Sequence, residues 1–194
     1  MDLTIGEWYL IIINVIGFFL CLISIHWRRA EQSGRLEPHL LVIDFLCGTL
    51  GVVLATLIFD RKRKKENMLT WVGMTTILIM QIAVVLMKWI GFGDDGVNLA
   101  FWRFFWRYRP LLYYLIIVNI ITFCFYWSDK RRADRNLPRI QIVTLLDLAF
   151  IGGSLGALFG MQFLRHKTRT PYFTIGIPLI ILMQAVVFFV IMNI

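Results

Sequence analysis

Six runs of apolar residues, at roughly 8–26, 39–59, 68–90, 111–127, 140–164 and 172–193, alternate with short polar stretches. Each is close to the ~18 residues that let a helix cross the hydrocarbon core of a bilayer. The pattern predicts an all-α, polytopic integral membrane protein of six apolar segments. The longer connection, 91–110, divides the chain into a first three-segment part, 1–90, and a second, 111–194.

The two parts align. Ile12-Ile13-Asn14 matches Ile117-Val118-Asn119, and Arg28-Arg29-Ala30 matches Arg131-Arg132-Ala133. Cys47-Gly48-Thr49-Leu50-Gly51 matches Gly152-Gly153-Ser154-Leu155-Gly156, and Met80-Gln81 matches Met183-Gln184. The offset stays between 103 and 105. Chance similarity of apolar runs does not place Asn, Arg-Arg-Ala, Gly-x-x-Gly and Gln in one order twice. The expectation is a tandem duplication of a three-segment unit, a device common in membrane transport folds.

Composition narrows the setting. The chain has 194 residues, 59% hydrophobic and 16% charged, against about 25% charged in soluble domains. Helices apolar all round need a large core or lipid, and so short a chain points to lipid. The first seven residues carry Asp2 and Glu7 and no Lys or Arg. That is the wrong sign for the start of a cleaved signal peptide, so the first run reads as a permanent span. Cys21, Cys47 and Cys124 each sit inside an apolar run and are expected to be buried small hydrophobes. No Cys or His spacing suggests a metal, and no cofactor is expected.

The formal charge is +8. Sixteen of the twenty Lys and Arg residues lie in four loops, 27–38, 60–67, 128–139 and 165–171. If segments two and five cross fully, half of these loops face outward, against the positive-inside tendency. Either the three-segment copies are inverted, or segments two and five are broken or re-entrant, dipping in and returning. Glycines favour a break: Gly48 and Gly51 in segment two, and Gly152, Gly153 and Gly156 in segment five. The same glycines also suit close helix packing by small residues. On the re-entrant reading all four basic loops face the cytoplasm.

Residues 99–109 interleave Phe, Trp and Tyr with Arg103, Arg107 and Arg109. This predicts an interfacial helix in the linker. Nucleic acid is the disfavoured alternative, because stacking needs the aromatics in water.

The second part resembles a known family. Asn119, Asp129-Lys130-Arg131-Arg132-Ala133, Arg139, Gly152-Gly153, Gly156-Ala157 and Arg165-His166-Lys167-Thr168 look like the domain of unknown function 1294 family, small bacterial membrane proteins. The resemblance spans about 113–174, and the first part reads as a degenerate duplicate with His26-Trp27 opposite Asp129-Lys130. It implies a multi-pass protein of the bacterial cytoplasmic (inner) membrane and supplies no reaction.

The candidate residues are polar groups in apolar surroundings and cations beside them. Asp44 and Asp147 lie within apolar runs, where a carboxylate is costly. Asn14 and Asn119 recur at one place in each part, suited to bonding across helices or to a broken backbone. Lys130, Arg131, Arg139, Arg165, His166, Lys167 and Thr168 offer an anion or headgroup site. No nucleophile elbow, zinc-protease or phosphate-loop motif is present, so the reading leans away from an enzyme. Three functions follow in order: a module binding anionic lipid or another phosphate-bearing ligand; a structural or accessory subunit of a membrane complex, with a partner membrane protein or itself; and an enzyme acting on a lipid phosphate.

Overall fold

A computed structural model describes residues 5–31, 42, 46, 48–60, 67–90 and 100–193. All elements among them are helical: α1 (Ile5–Glu31), α2 (Thr49–Phe59), α3 (Met68–Ile90), α4 (Phe101–Arg107), α5 (Arg109–Asp134), α6 (Ile142–Leu148), a π-helical turn (Ala149–Gly153), α7 (Ser154–Phe163), α8 (Pro171–Thr174) and α9 (Gly176–Asn193). Among the described residues, four stretches are long and apolar enough to cross a membrane: Met68–Met87, Arg109–Asp134, Ile142–Phe163 and Pro171–Asn193. The chain divides into two compact units between Ile82 and Ala83, each described separately below.

Helices α1 and α5 outlast their apolar runs. The stretch read from sequence as the loop 128–139 is helical through Asp134, because Lys and Arg are good helix formers and suit the negative end of the helix dipole. Helix α5 ends on a left-handed Asn136 (φ 53°), with Leu137 N–H bonded to Arg132 O at 2.9 Å and Asn136 N–H to Ala133 O at 3.2 Å. This is the Schellman arrangement, which satisfies the last carbonyls.

In the second unit, the buried residues of α5 form one stripe, Val118, Thr122, Tyr126 and Asp129, at helical spacing. Ile116, Ile117, Ile120 and Ile121 face outward and are exposed, as suits a helix whose remaining surface meets lipid. Cys124 is on that outer face, exposed rather than buried as expected, whereas Cys21 of the first unit is buried.

The 142–163 stretch is long enough for a straight crossing, but it is a hairpin. A straight helix of that length spans about 33 Å. Instead, Ile140 N–H bonds Asp129 at its start, and Leu164 O accepts from Lys130 Nζ at its end, at 2.8 and 3.0 Å. Both feet therefore sit at the same end of α5. The tip lies at the other end, where Ile151 O accepts from Tyr114 Oη at 2.6 Å. Fifteen residues of α5 separate Tyr114 from Asp129, about 22 Å of helical rise. The reversal occurs at Gly152, with φ 120° and ψ −3°, a conformation that a side chain disfavours. Helix α7 then runs back parallel to α5.

In the first unit, α2 lies along α1 in the same sense: Gly51 is at Asn14, and Thr56 is at Cys21. The contacts repeat those of the second unit at one offset. Gly51 N–H donates to Asn14 Oδ1 (3.0 Å), as Gly156 N–H does to Asn119 Oδ1 (2.6 Å). Tyr9 Oη donates to Leu46 O (3.0 Å), as Tyr114 Oη does to Ile151 O. Each pair spans 37 residues in both units, and the paired positions differ by 105. The residue before each returning helix has matching backbone angles, φ −82° and ψ 6° at Gly48 against φ −88° and ψ 16° at Gly153.

Glycine at these contacts permits backbone approach. A Cβ on Gly51 would stand 1.9 Å from Asn14 O, and one on Gly156 would stand 2.1 Å from Asn119 O. Backbone oxygens cannot rotate away. Gly51→Ala and Gly156→Ala are each expected to force the helix pair apart and cost about 1–3 kcal/mol, read as a loss of stability in detergent unfolding. A smaller effect is expected at Gly160, whose added Cβ would meet the side chain of Tyr126.

Candidate functional site

Two polar assemblies stand out in the second unit, one at the tip of the hairpin and one at its feet. At the tip, the helix break frees carbonyls from their partners within the helix. The chain supplies the donors. Gln184 Nε2 on α9 donates to Ala149 O (2.8 Å) and Phe150 O (3.2 Å). Tyr114 Oη serves Ile151 O, and Asn119 Nδ2 serves Gly152 O at 2.9 Å. Asn119 Oδ1 accepts Gly156 N–H, and Gln184 Oε1 bonds Ser154 Oγ. Asn119 also donates to Leu115 O in its own helix. The tip is closed by its own side chains.

At the feet, Asp129 is the centre. Its side chain has no exposed surface, and Oδ2 is 2.8 Å from both His166 Nε2 and Lys167 Nζ. Oδ1 accepts Ile140 N–H at 2.8 Å. One carboxylate thus ties α5 to the first foot through a backbone amide and to the second foot through the His166 imidazole and the Lys167 ammonium. Burial pushes the Lys167 ammonium below its ordinary range; Asp129 opposes that shift, and Arg139 nearby adds to it. Lys167 Nζ also lies 4.8 Å from the Phe173 ring, a cation–π contact. Phe173 in turn packs edge-on to Tyr126, one turn before Asp129.

The local backbone delivers these groups. Helix α7 ends in a second Schellman motif, His166 N–H to Met161 O and Arg165 N–H to Gln162 O, with Arg165 at φ 47° where glycine is usual. Lys167 is left-handed as well, at φ 62°. Two such residues cost about 1–3 kcal/mol each, and together they turn His166 and Lys167 back onto α5.

The other candidates divide into internal and outward-facing groups. Lys130 donates to Leu164 O, and Arg131 stacks on Trp127 with Cζ 4.1 Å from the ring centroid. Thr168 offers its backbone oxygen to Thr174 Oγ1 at 2.9 Å. Arg131, Arg132, Arg135, Arg139, Arg165 and Arg169 are exposed and gather at the foot end. Asp147 is exposed on α6. Asp44 lies outside the described residues. Asn14 and Asn119 both hold a returning helix. Gly48 and Gly153 precede those helices, Gly51 and Gly156 pack on the asparagines, and Gly152 makes the reversal. The buried carboxylate that gathers His166 and Lys167 is Asp129, which the sequence presents within a charged run that carries part of the family resemblance. Tyr114 and Gln184 complete the tip; Gln184 is flagged by its match to Gln81, and Tyr114 by its match to Tyr9 at the offset of 105.

Residues 119–173, from the tip asparagine through the hairpin to Phe173, match the family model described as protein of unknown function DUF1294. The uncharacterized protein YsdA of Bacillus subtilis (strain 168) is 37% identical over 73 residues, which are 38% of this chain and 82% of YsdA. The chain belongs to the DUF1294 family. No solved structure matches it significantly. The family segment contains Asp129, all three of its donors and both glycines of the reversal. From the matched share, YsdA is about 89 residues long, and this chain extends well beyond the matched segment.

Proposed function

We propose that the chain is a multi-pass protein of the bacterial cytoplasmic membrane. It is built from two copies of one helix, hairpin and helix unit, with each hairpin re-entrant, and its basic face binds anionic phospholipid headgroups. The observation that carries the reading is the return of both hairpin feet to the Asp129 end of α5. That return puts loops 128–139 and 165–171 on one side, which agrees with the positive-inside tendency. It also collects six exposed arginines there, and each basic residue near an anionic leaflet adds about 1 kcal/mol of attraction. The contacts repeated at an offset of 105 support two copies of one internal arrangement. Lys130, His166 and Lys167 bind internal partners, so headgroup contact falls to the outward arginines, Arg139 and Arg165 foremost. A second reading, an enzyme acting on a lipid phosphate, draws on the buried Asp129 beside His166.

The test keeps the chain whole. In a version with Cys21, Cys47 and Cys124 replaced, single cysteines at Lys64 and Thr168 are probed with a membrane-impermeant thiol reagent. Both are expected to react only from the cytoplasmic side; reaction from opposite sides overturns the re-entrant reading. Native mass spectrometry of gently extracted protein is expected to show retained anionic phospholipid. Arg139→Glu/Arg165→Glu should lose it; unchanged retention removes lipid binding at this face. Turnover of a lipid phosphate that His166→Ala abolishes would favour the enzyme.

A further inference from the structure

At the other end of α5, the structure carries a surface that neither the hairpin nor the arginine-rich feet explain. Helix α4 has no buried residue. Trp102 is 74% exposed and Trp106 50%, and they are four residues apart, edge-to-face at 5.7 Å. Arg103 and Arg107 form a second exposed stripe beside them. A third stripe anchors the helix: Phe105 packs edge-on to Phe188 of α9 at 5.6 Å. Tyr108, at φ −107° and ψ 59°, breaks the helix, and Pro110 starts α5 afresh. Arg109 lies over the Trp106 ring, 5.3 Å from its centroid. The side chains of α4 are therefore sorted into a packing stripe, an indole stripe and a guanidinium stripe.

The distance to the feet decides what covers it. Twenty residues of α5 separate Arg109 from Asp129, about 30 Å of rise, the thickness of a bilayer's hydrocarbon core. If α5 crosses the membrane with Asp129 at one boundary, α4 lies at the other. Indoles collect at that level, with an apolar ring and an N–H for the polar layer. Guanidinium groups fork onto phosphates.

We infer that α4 docks in the headgroup layer of the leaflet opposite the arginine-rich feet, with Trp102 and Trp106 at the level of the lipid glycerol and Arg103 and Arg107 on lipid phosphates. The inference rests on α5 spanning the bilayer, which is part of the reading above. The two units of chemistry, rings and cations, come from one short helix and need one partner that offers apolar and phosphate groups side by side. A phospholipid interface does so.

Protein reconstituted in vesicles of phosphatidylcholine and phosphatidylglycerol, with bromines placed shallow or deep on the acyl chains, tests it. The fluorescence attributable to α4 is the difference between the native protein and Trp102→Phe/Trp106→Phe. That of the opposite boundary is the difference between the native protein and Trp127→Phe. The α4 signal is expected to be quenched more by shallow than by deep bromines and to be protected from aqueous iodide. Arg103→Glu/Arg107→Glu should make it iodide-accessible in these vesicles, and Arg103→Lys/Arg107→Lys should restore protection. Iodide access in the native protein with Trp127 still lipid-quenched overturns the docking of α4 alone. Loss of lipid quenching at both places overturns the membrane-spanning placement of α5. Protection unchanged by charge reversal removes the phosphate contact.

Discussion

Replacing Asp129 by alanine is expected to destabilise the protein by about 3–5 kcal/mol, the range for removing one partner of a buried charge pair. The side chain has no exposed surface, while His166 and Lys167 keep only 16% and 13% of theirs, so solvent screens these contacts little. The alanine variant leaves the Lys167 ammonium without its counter-charge and the Ile140 amide without its acceptor. Both feet of the hairpin lose their tie to Asp129 at once, while Lys130 Nζ still holds Leu164 O. The expected readout is a lowered midpoint of unfolding in mixed micelles, together with new proteolysis in the 164–170 loop. Asp129→Asn keeps an oxygen for Ile140 and is expected to lose less. The double change Asp129→Leu/Lys167→Met removes both charges and should recover much of the loss, since apolar replacements of a buried pair are often neutral. A double variant no more stable than Asp129→Ala would show that the ion pair does not hold the feet. A functional loss in Asp129→Asn at native stability would instead assign the carboxylate to chemistry with His166.

That carboxylate was poorly legible in the sequence for a physical reason. Asp129-Lys130-Arg131-Arg132-Ala133-Asp134 has the composition of a solvated helix end, and a carboxylate among cations reads as surface charge. Its burial comes from two segments that arrive later in the chain, Ile140 at one foot and His166-Lys167 at the other. The basic run 165–169 divides between the two faces in a way its composition does not show. Its charges suggested an anion site, yet His166 and Lys167 turn inward because Arg165 and Lys167 adopt left-handed backbone, which no residue type there announces. The outward cations are the neighbouring arginines.

The fold was more legible, because long apolar runs broken by short polar stretches are simple signals. Apolar run lengths located the helices, and glycines marked the break at Gly152. The charge distribution left inverted copies and a return both open, and the feet of 142–163 sit together at one end of α5. Polar residues in an apolar run stand out, so Asn14 and Asn119 were visible as a recurring pair. What they bond was not, since Gly51 and Gly156 lie 37 residues further on, and only a helix folded back against its predecessor brings them within reach.

Asn119→Leu is therefore expected to be among the most damaging single changes in the protein. The amide serves both sides of the break, accepting Gly156 N–H and donating to Gly152 O. Leucine fills the space and satisfies neither. Each buried polar group left unpaired costs about 1–3 kcal/mol, so the two together cost about 2–6 kcal/mol. Asn14→Leu removes the equivalent bond to Gly51 N–H and is expected to cost about 1–3 kcal/mol for that group. Ile120→Ala, one residue away on the exposed face of α5, controls for helix α5 itself and should change little. Hydrogen exchange then localises the effect: in Asn119→Leu the amide of Gly156 should exchange faster, while that of Gly51, bonded to Asn14, stays protected. Equal loss of protection at both glycines would mean that the hairpins do not close independently. No loss at either would mean that Asn119 does not hold the tip.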